Sequence, residues 1–302
     1  MKKNFNKLLT ISLLSGLAFA ACGGRCEKTL GTPENPLILA LSAPYAEKLS
    51  AEDAALLEEL LSAETGLSIK AQSFKDSVSI IKDLGEEKAD LAFLTLDEYL
   101  LAREEFKAEP LLRVLRGKGN SEYKGAVFVL DKSIKTVKDL AGKKIAMSNP
   151  YSVSGFILPG LLFAENGITV EPVFTGSHEA SAQKLLKGEA DAAAVYRGMG
   201  DKYKNLILLA LSEAVPNEPV AARKSLDREI KARAEAALLK ISQDPEGAAI
   251  INKMADITGF EKVDAKVYKD IHEKILGSGK TTYSLIPDGI RIKKLSEPYY
   301  FD

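Results

Sequence analysis

Tyr151-Ser152-Val153-Ser154-Gly155-Phe156 and, a little downstream, Phe174-Thr175-Gly176-Ser177-His178-Glu179 are the stretches around which the chain is organised. Each follows an apolar run that reads as a buried strand, Lys144 to Met147 and Val170 to Phe174, and each precedes an amphipathic run that reads as a helix. Both therefore fall at helix N-termini, where the first backbone N–H groups lack intrahelical partners and the macrodipole is positive. Such a junction receives an anion readily. Ser152, Ser154 and His178 add two hydroxyls and an imidazole, a donor set that suits a small oxyanion.

Working outward, the flanking sequence repeats the same strand-helix alternation. Upstream, a buried strand at Leu37 to Leu41 leads to a helix opened by Ser50 and Asp53, a capping box, and closed by Gly66. A strand (Leu67 to Ala71), a helix (Ser77 to Leu84), a strand (Ala89 to Leu94) and a helix from about Asp97 to Phe106 follow. Strands at Leu111 to Leu115 and Tyr123 to Leu130 have no helix between them, only Gly117, Gly119 and Asn120, so the chain is expected to cross there into a second lobe. After the lobe of the two anion turns, Leu206 to Leu211 and Val215-Pro216-Asn217-Glu218-Pro219 read as the return crossing. Helices near Leu226 to Ile241, Pro245 to Ala255 and Asp264 to Leu276 then pack on the first lobe; the segment after Ser278 has no clear period and receives no placement. The expected fold is α/β with two lobes, residues 36–118 plus 219–302 and residues 119–218, each a mainly parallel sheet with flanking helices. Ligands in open α/β sheets bind at the carboxyl ends of strands, which here face a common cleft.

Composition narrows the function. Of 302 residues, 46% are hydrophobic and 27% charged, enough to build one large core or two medium ones. The formal net charge of −1 gives no basic field for nucleic acid. Lys2, Lys3 and Lys7 precede an apolar segment from Leu8 to Ala21, too short to span a bilayer and flanked like an export signal, so residues 1–21 are expected to be processed. Two routes fit: Leu17-Ala18-Phe19-Ala20-Ala21-Cys22 is similar to a bacterial lipobox, with lipid on Cys22 anchoring the protein to a membrane, while Ala18-Phe19-Ala20 suits ordinary signal peptidase. Residues 22–35 read as a polar tether. Cys22 and Cys26 both lie in it, which leaves no thiol for a metal or redox centre in the folded body.

Four further motifs carry a resemblance: Asp139-Leu140-Ala141-Gly142-Lys143-Lys144, Asn149-Pro150 before the first turn, Glu179-Ala180 after the second, and Gly188-Glu189-Ala190-Asp191-Ala192-Ala193-Ala194-Val195. In order and spacing, from about Pro36 to about Leu276, the chain resembles the phosphonate, phosphite and phosphate solute-binding proteins of bacterial ABC importers, a branch of the two-lobed periplasmic binding proteins. The resemblance implies a small phosphorus oxyanion as ligand, an ABC permease and its ATPase as partners, an extracytoplasmic location and no cofactor. It also implies contacts from Ser152, Val153, Ser154 and Gly155 in a Ser-Thr-Ser-type turn, Tyr123 at the entry to the second lobe, His178 after Gly-Ser, Glu218 on the return crossing, and Thr95 facing the cleft.

Three departures from the family pattern matter. Val153 replaces the usual Thr and loses a hydroxyl. Ser77 stands where many members place a Tyr. The position of a second acid about twenty residues after the His reads Gly198, so an amino group would find a single carboxylate, which favours phosphite, phosphate or a small alkyl phosphonate. Donors would then be serine hydroxyls, helix-end amides, a phenol and an imidazolium, with no free Lys or Arg in the cleft. Blander roles exist for each residue: the serines as helix caps, Tyr123 as a core aromatic, Glu218 as a solvated acid. His272 reads as a surface residue. A sensor of the same fold and an enzyme on the two-lobed scaffold are the alternatives, but P-loop, dinucleotide and His-Glu-x-x-His motifs are absent, and Ser154, His178 and Asp191 lack a nucleophile elbow.

Overall fold

The computed structural model describes residues 29–277 and 279–293; the expected export signal, Cys22, Cys26 and residues 294–302 lie outside the described residues. The order of elements follows the hydrophobic pattern. In the N-terminal part β1 (Leu37–Leu41), α1 (Ala43–Ala46), α2 (Ala51–Thr65), β2 (Ile69–Ser73), α3 (Ser77–Gly85), β3 (Leu91–Phe93), α4 (Leu96–Phe106) and β4 (Glu109–Arg116) succeed one another. The chain then enters β5 (Glu122–Val129), β6 (Lys144–Met147), a π-helical turn (Val153–Ile157) that runs into α5 (Leu158–Glu165), β7 (Glu171–Phe174), α6 (His178–Leu186), β8 (Ala192–Tyr196), α7 (Met199–Lys202) and β9 (Ile207–Pro216). It returns through β10 (Pro219–Ala222), α8 (Arg228–Ile241), α9 (Pro245–Ala255), β11 (Ile257–Glu261) and α10 (Lys266–Gly277), and ends in two short 3-10 turns at Thr282–Leu285 and Gly289–Ile292.

Among the described residues these strands form two sheets, ordered β11-β4-β10-β3-β1-β2 and β7-β6-β8-β5-β9. Both sheets are mixed, which corrects the expectation of mainly parallel ones. β1 pairs parallel with β2 and β3, and β6 parallel with β7 and β8, as helical crossovers require. The strands that lead into and out of the crossings, β4 with β10 and β5 with β9, pair antiparallel instead. A chain that leaves one lobe and comes back beside its own exit must run the opposite way. β11, unread in the sequence because Ile257-Thr258-Gly259-Phe260-Glu261 sits between two helices, adds a further antiparallel edge on β4.

Local chemistry sets the ends of the helices. Ser50 and Asp53 form the expected capping box at α2, and Gly66 closes that helix at φ 64°, a left-handed conformation that glycine adopts without a Cβ penalty. Thr95 and Glu98 form a second box, so α4 begins at Leu96 and Thr95 is its cap. The helix expected from Ser154 instead opens as the π-helical turn, and Pro159 falls at the start of α5, where its missing N–H costs nothing.

Two more expectations are corrected. Residues 29–35, read as tether, are folded onto the first lobe: Leu30 is buried and Gly31 O accepts from Ser68 N at 2.7 Å. His272 is buried, not on the surface, and its Nε2 lies 2.7 Å from Thr282 Oγ1. The segment that covers it is the one the sequence left unplaced, whose Leu285, Ile286 and Ile292 join a core with Val78, Ile81 and Tyr99.

The return strand is fixed to the first lobe by a charge pair buried at its end. Asp90 accepts from Ile38 N at 2.7 Å and from Arg223 Nε at 2.9 Å, and neither side chain is more than 2% exposed. Removing one partner leaves an uncompensated buried charge, so Asp90→Ala should destabilise the protein by about 3 to 5 kcal/mol. Lys70→Ala, which breaks an exposed pair with Glu58, should cost less than about 1 kcal/mol. Urea midpoints of the two variants check this: equal shifts would contradict it.

Candidate functional site

A cleft of about 980 Å³ separates the two sheets' helix-bearing ends. Tyr123, Ser152, Val153, Ser154, His178, Glu218, Thr95 and Ser77 all line it, and Gly155 lies directly beneath its lobe-2 wall. The wall is built from the two junctions. β6 delivers the chain through Ser148 and Asn149 into the π-helical turn, while β7 delivers it through Thr175 and Gly176 into α6. The junctions are joined by backbone bonds, Thr175 N to Met147 O at 2.9 Å and Gly176 N to Ser148 O at 2.7 Å.

The wider turn of a π-helix leaves the first amides free of internal partners. Phe156 N and Ile157 N both reach back to Ser152 O at 3.0 Å, and Gly155 N donates to Ser152 Oγ at 3.0 Å. Val153 N and Ser154 N have no partner among the described residues and stand at the positive end of the helix. Ser152 Oγ, already an acceptor, keeps its own proton to donate.

Gly155 brings His178 into the same spot. A Cβ at position 155 would lie 2.8 Å from His178 Cε1 and 2.9 Å from Ser152 Oγ, and nearer still to Ser148 Oγ, so no other residue fits without displacing one of them. Two buried polar atoms here lack partners, Ser148 Oγ and His178 Nδ1. An orphaned polar atom costs on the order of 1 to 3 kcal/mol, and a pair of them beside a cleft marks a place for a ligand to satisfy. Burial lowers the His178 pKa to about 4, so the imidazole is neutral near neutral pH, a correction to the imidazolium expected from sequence. Tyr196 stacks edge-on against that ring, with centroids 5.3 Å apart.

On the opposite wall, Thr95 Oγ1 caps α4 and Ser77 Oγ donates to Glu98 Oε1 at 2.7 Å. The Ser77 proton is thus committed, and the hydroxyl offers the cleft only lone pairs. Glu218 sits at the hinge, and its carboxylate is committed too: Arg116 Nη1 donates at 3.0 Å, Arg116 Nη2 and the Tyr45 hydroxyl also donate. Burial would raise its pKa, but the Arg116 charge and these bonds hold it below the usual range. Burial, then the charges of Glu218 and Asp97, keep the Tyr123 phenol protonated as a donor. Burial, then the neighbouring Glu98 and Glu218 charges, push the Asp97 carboxyl up to about 7.

Asp97, Ser148, Arg116 and Tyr196 were missed in sequence. Asp97 reads as an ordinary first-turn acid, and Arg116 lies 102 residues from the carboxylate it neutralises, which no local pattern reveals. Ser148 alone had a signal, since it ends the β6 run just before the turn. Among the described residues no three His, Cys, Asp or Glu side chains converge as a metal site, and no helix is long and apolar enough to cross a membrane.

Residues 42–268 match the family described as "ABC transporter, phosphonate, periplasmic substrate-binding protein". The chain is 26% identical over 216 residues, 65% of its length and 67% of the other's, to the phosphate-import protein PhnD of Mycolicibacterium smegmatis. It is 23% identical over 210 residues, 63% of its length and 62% of the other's, to the phosphonates-binding periplasmic protein of Escherichia coli. In fold it is similar to PhnD1 of Prochlorococcus marinus in complex with methylphosphonate, at TM-score 0.62 and 18% identity over 80% of this chain and 97% of that one. A Xanthomonas citri protein bound to chloride ion gives TM-score 0.67 and 22% identity over 80% and 97%.

The depressed His178 pKa makes stability depend on pH with a defined sign. Between about pH 6.5 and about 4 the unfolded histidine binds a proton that the folded one refuses, so this contribution is present above pH 6.5 and is lost as pH falls toward 4. NMR titration of the imidazoles in the ligand-free protein should show His178 still neutral at pH 5.5. A midpoint at or above 6.5 would contradict the buried, unpartnered geometry.

Proposed function

The chain belongs to the periplasmic substrate-binding proteins of phosphonate ABC transporters, and from that premise we propose that it closes its lobes on a small phosphorus oxyanion and presents it to a membrane permease. The observation that carries this reading is the meeting of the two junctions at Gly155, where Ser148 Oγ and His178 Nδ1 wait without partners beside the free amides of Val153 and Ser154. A tetrahedral anion needs several donors converging on it in a partly dry place, and charge-assisted bonds to neutral donors there are short and strong. Ser152, Ser154, Tyr123, His178 and the turn amides supply such donors without a full cationic charge, which leaves release to the importer feasible. No reacting centre is required, and the role is capture, not catalysis.

The Val153 departure has a physical account. Val153 is 4% exposed and joins the buried cluster that also holds Val78 and Ile286 of the first lobe, so the lost hydroxyl is replaced by apolar burial. Phosphite, phosphate and small alkyl phosphonates are the ligands this donor set favours. Glu218, bound to Arg116 and Tyr45, serves the hinge before any ligand amine, and the absence of a carboxylate at Gly198 points the same way. Outside the described residues, we infer export by the N-terminal signal and anchoring through lipid on Cys22.

His178→Ala should weaken binding of phosphite or methylphosphonate by on the order of ten- to a hundredfold, the loss of one donor to a charged group, with a modest change in melting temperature. His272→Ala, which breaks the buried contact with Thr282, should lower the melting temperature and leave affinity unchanged. Isothermal titration and thermal melts of both variants decide it. Equal effects on affinity, or no melting shift of the wild type with any phosphorus oxyanion, would remove the proposal.

A further inference from the structure

Asp97 is an acid on the wall that faces an anion site. It lines the cleft from the first turn of α4, half-buried, on the lobe opposite Ser152, Ser154 and His178. On its own helix Glu98 is next to it, held by Thr95 N and Ser77 Oγ. From the hinge Glu218 faces it with Arg116, which is engaged by that carboxylate. From the second lobe the Tyr123 phenol faces it, and the His178 imidazole lines the same cleft; neither carries a positive charge near neutral pH. Lys75, Glu122, Asp201 and Asp256 line the same cleft and are exposed; among the described residues no ion pair joins Asp97 to Lys75 or Arg116, and its carboxylate is held by the Thr95 hydroxyl and by backbone N–H.

A dianion drawn into this space would meet a carboxylate with no ion-pair partner in a region partly closed to water, where like charges repel strongly. One proton between them turns that repulsion into an O–H···O bond, the short, charge-assisted kind. Resting on the proposed capture of a phosphorus oxyanion, we propose that Asp97 is a specificity-determining residue that shares one proton with the bound ligand, so that the cleft accepts oxyanions able to hold a proton near neutral pH and rejects sulfate. The balance is simple. The bound pair holds one proton: it comes from the ligand when a monoanion meets ionised Asp97, from Asp97 when a dianion meets the protonated acid, and from solvent when both are ionised, while a monoanion that meets protonated Asp97 releases one; no covalent bond forms or breaks. The raised Asp97 pKa agrees with this geometry, since the carboxyl titrates in the range where phosphorus oxyanions lose their second proton and sulfate has none left to share.

The test is isothermal titration of the full chain with methylphosphonate, phosphite and sulfate from pH 6 to 8.5, each in two buffers of different ionisation enthalpy so that proton uptake is counted directly. Wild type should take up close to one proton per ligand at pH 8, lose affinity about tenfold per pH unit above the ligand's second ionisation, and show no binding of sulfate. Asp97→Asn, whose amide is a permanent donor of nearly the same shape, should bind without that uptake, flatten the pH profile and gain at least tenfold in sulfate affinity. Wild type that binds phosphorus oxyanions at pH 8 without proton uptake overturns the proposal with no variant needed. So does an Asp97→Asn protein that matches wild type in uptake and in sulfate rejection. Failure of both proteins to bind any phosphorus oxyanion would instead remove the reading beneath it.

Discussion

The close approach permitted at Gly155 is the constraint on which the rest of the site depends. Three side chains, Ser148, Ser152 and His178, occupy the volume that any Cβ there would need. With that volume open, the end of β6 and the start of α6 meet, and two loops separated by more than twenty residues become one surface. The π-helical opening of α5 belongs to the same solution. It turns the Val153 and Ser154 amides outward while Gly155 N is satisfied by Ser152. Polar atoms left without partners inside a fold are destabilising, so Ser148 Oγ and His178 Nδ1 are held there at a cost that the close packing at Gly155 imposes. Gly125 does the same service from behind, since a side chain on that strand would run into Ser154 O at 2.9 Å.

The same geometry accounts for what could be read in advance. Capping boxes at Ser50 with Asp53 and at Thr95 with Glu98 are local, three residues apart, and their chemistry is visible in any stretch of sequence. The two strand-turn-helix junctions were legible for the same reason, since strand, turn and helix follow one another along the chain. Long-range pairings were not. The commitment of Glu218 to Arg116 and Tyr45 spans 102 and 173 residues, which no local pattern announces. His272 looks like a surface residue on an amphipathic helix until the 3-10 turn at Thr282–Leu285 covers it. The antiparallel pairs at the crossings come from topology, which hydrophobic period alone does not carry.

The hinge and the anion wall are coupled through few atoms. Asn217 ties the two crossings together, with its N donating to Ser121 O at 2.8 Å and its Nδ2 to Val114 O at 3.0 Å and Asn120 O at 2.8 Å; Tyr268 donates to its carbonyl from behind. On the other side the two lobes share an apolar cluster: Val153, Ile157 and Leu158 fall in the same buried group as Tyr99, Tyr268 and Ile286, and Lys280 sits over the Phe156 ring at 5.0 Å. The C-terminal segment, which has no readable period, contributes Leu285, Ile286 and Ile292 to that cluster.

The charge distribution then explains how such a site can be both selective and reversible. One wall offers neutral donors and the other offers carboxylates, with the hinge arginine already neutralised. A fully charged anion placed between them gains hydrogen bonds from one wall and repulsion from the other, so the net attraction depends on whether a proton is present to bridge the gap. A cationic clamp would bind every small dianion tightly and discriminate poorly among them. Neutral donors facing an acid give up some affinity and gain dependence on the ligand's protonation state. A cleft whose grip rests on one shared proton and a modest apolar seam, as we propose here, can open without breaking a buried ion pair.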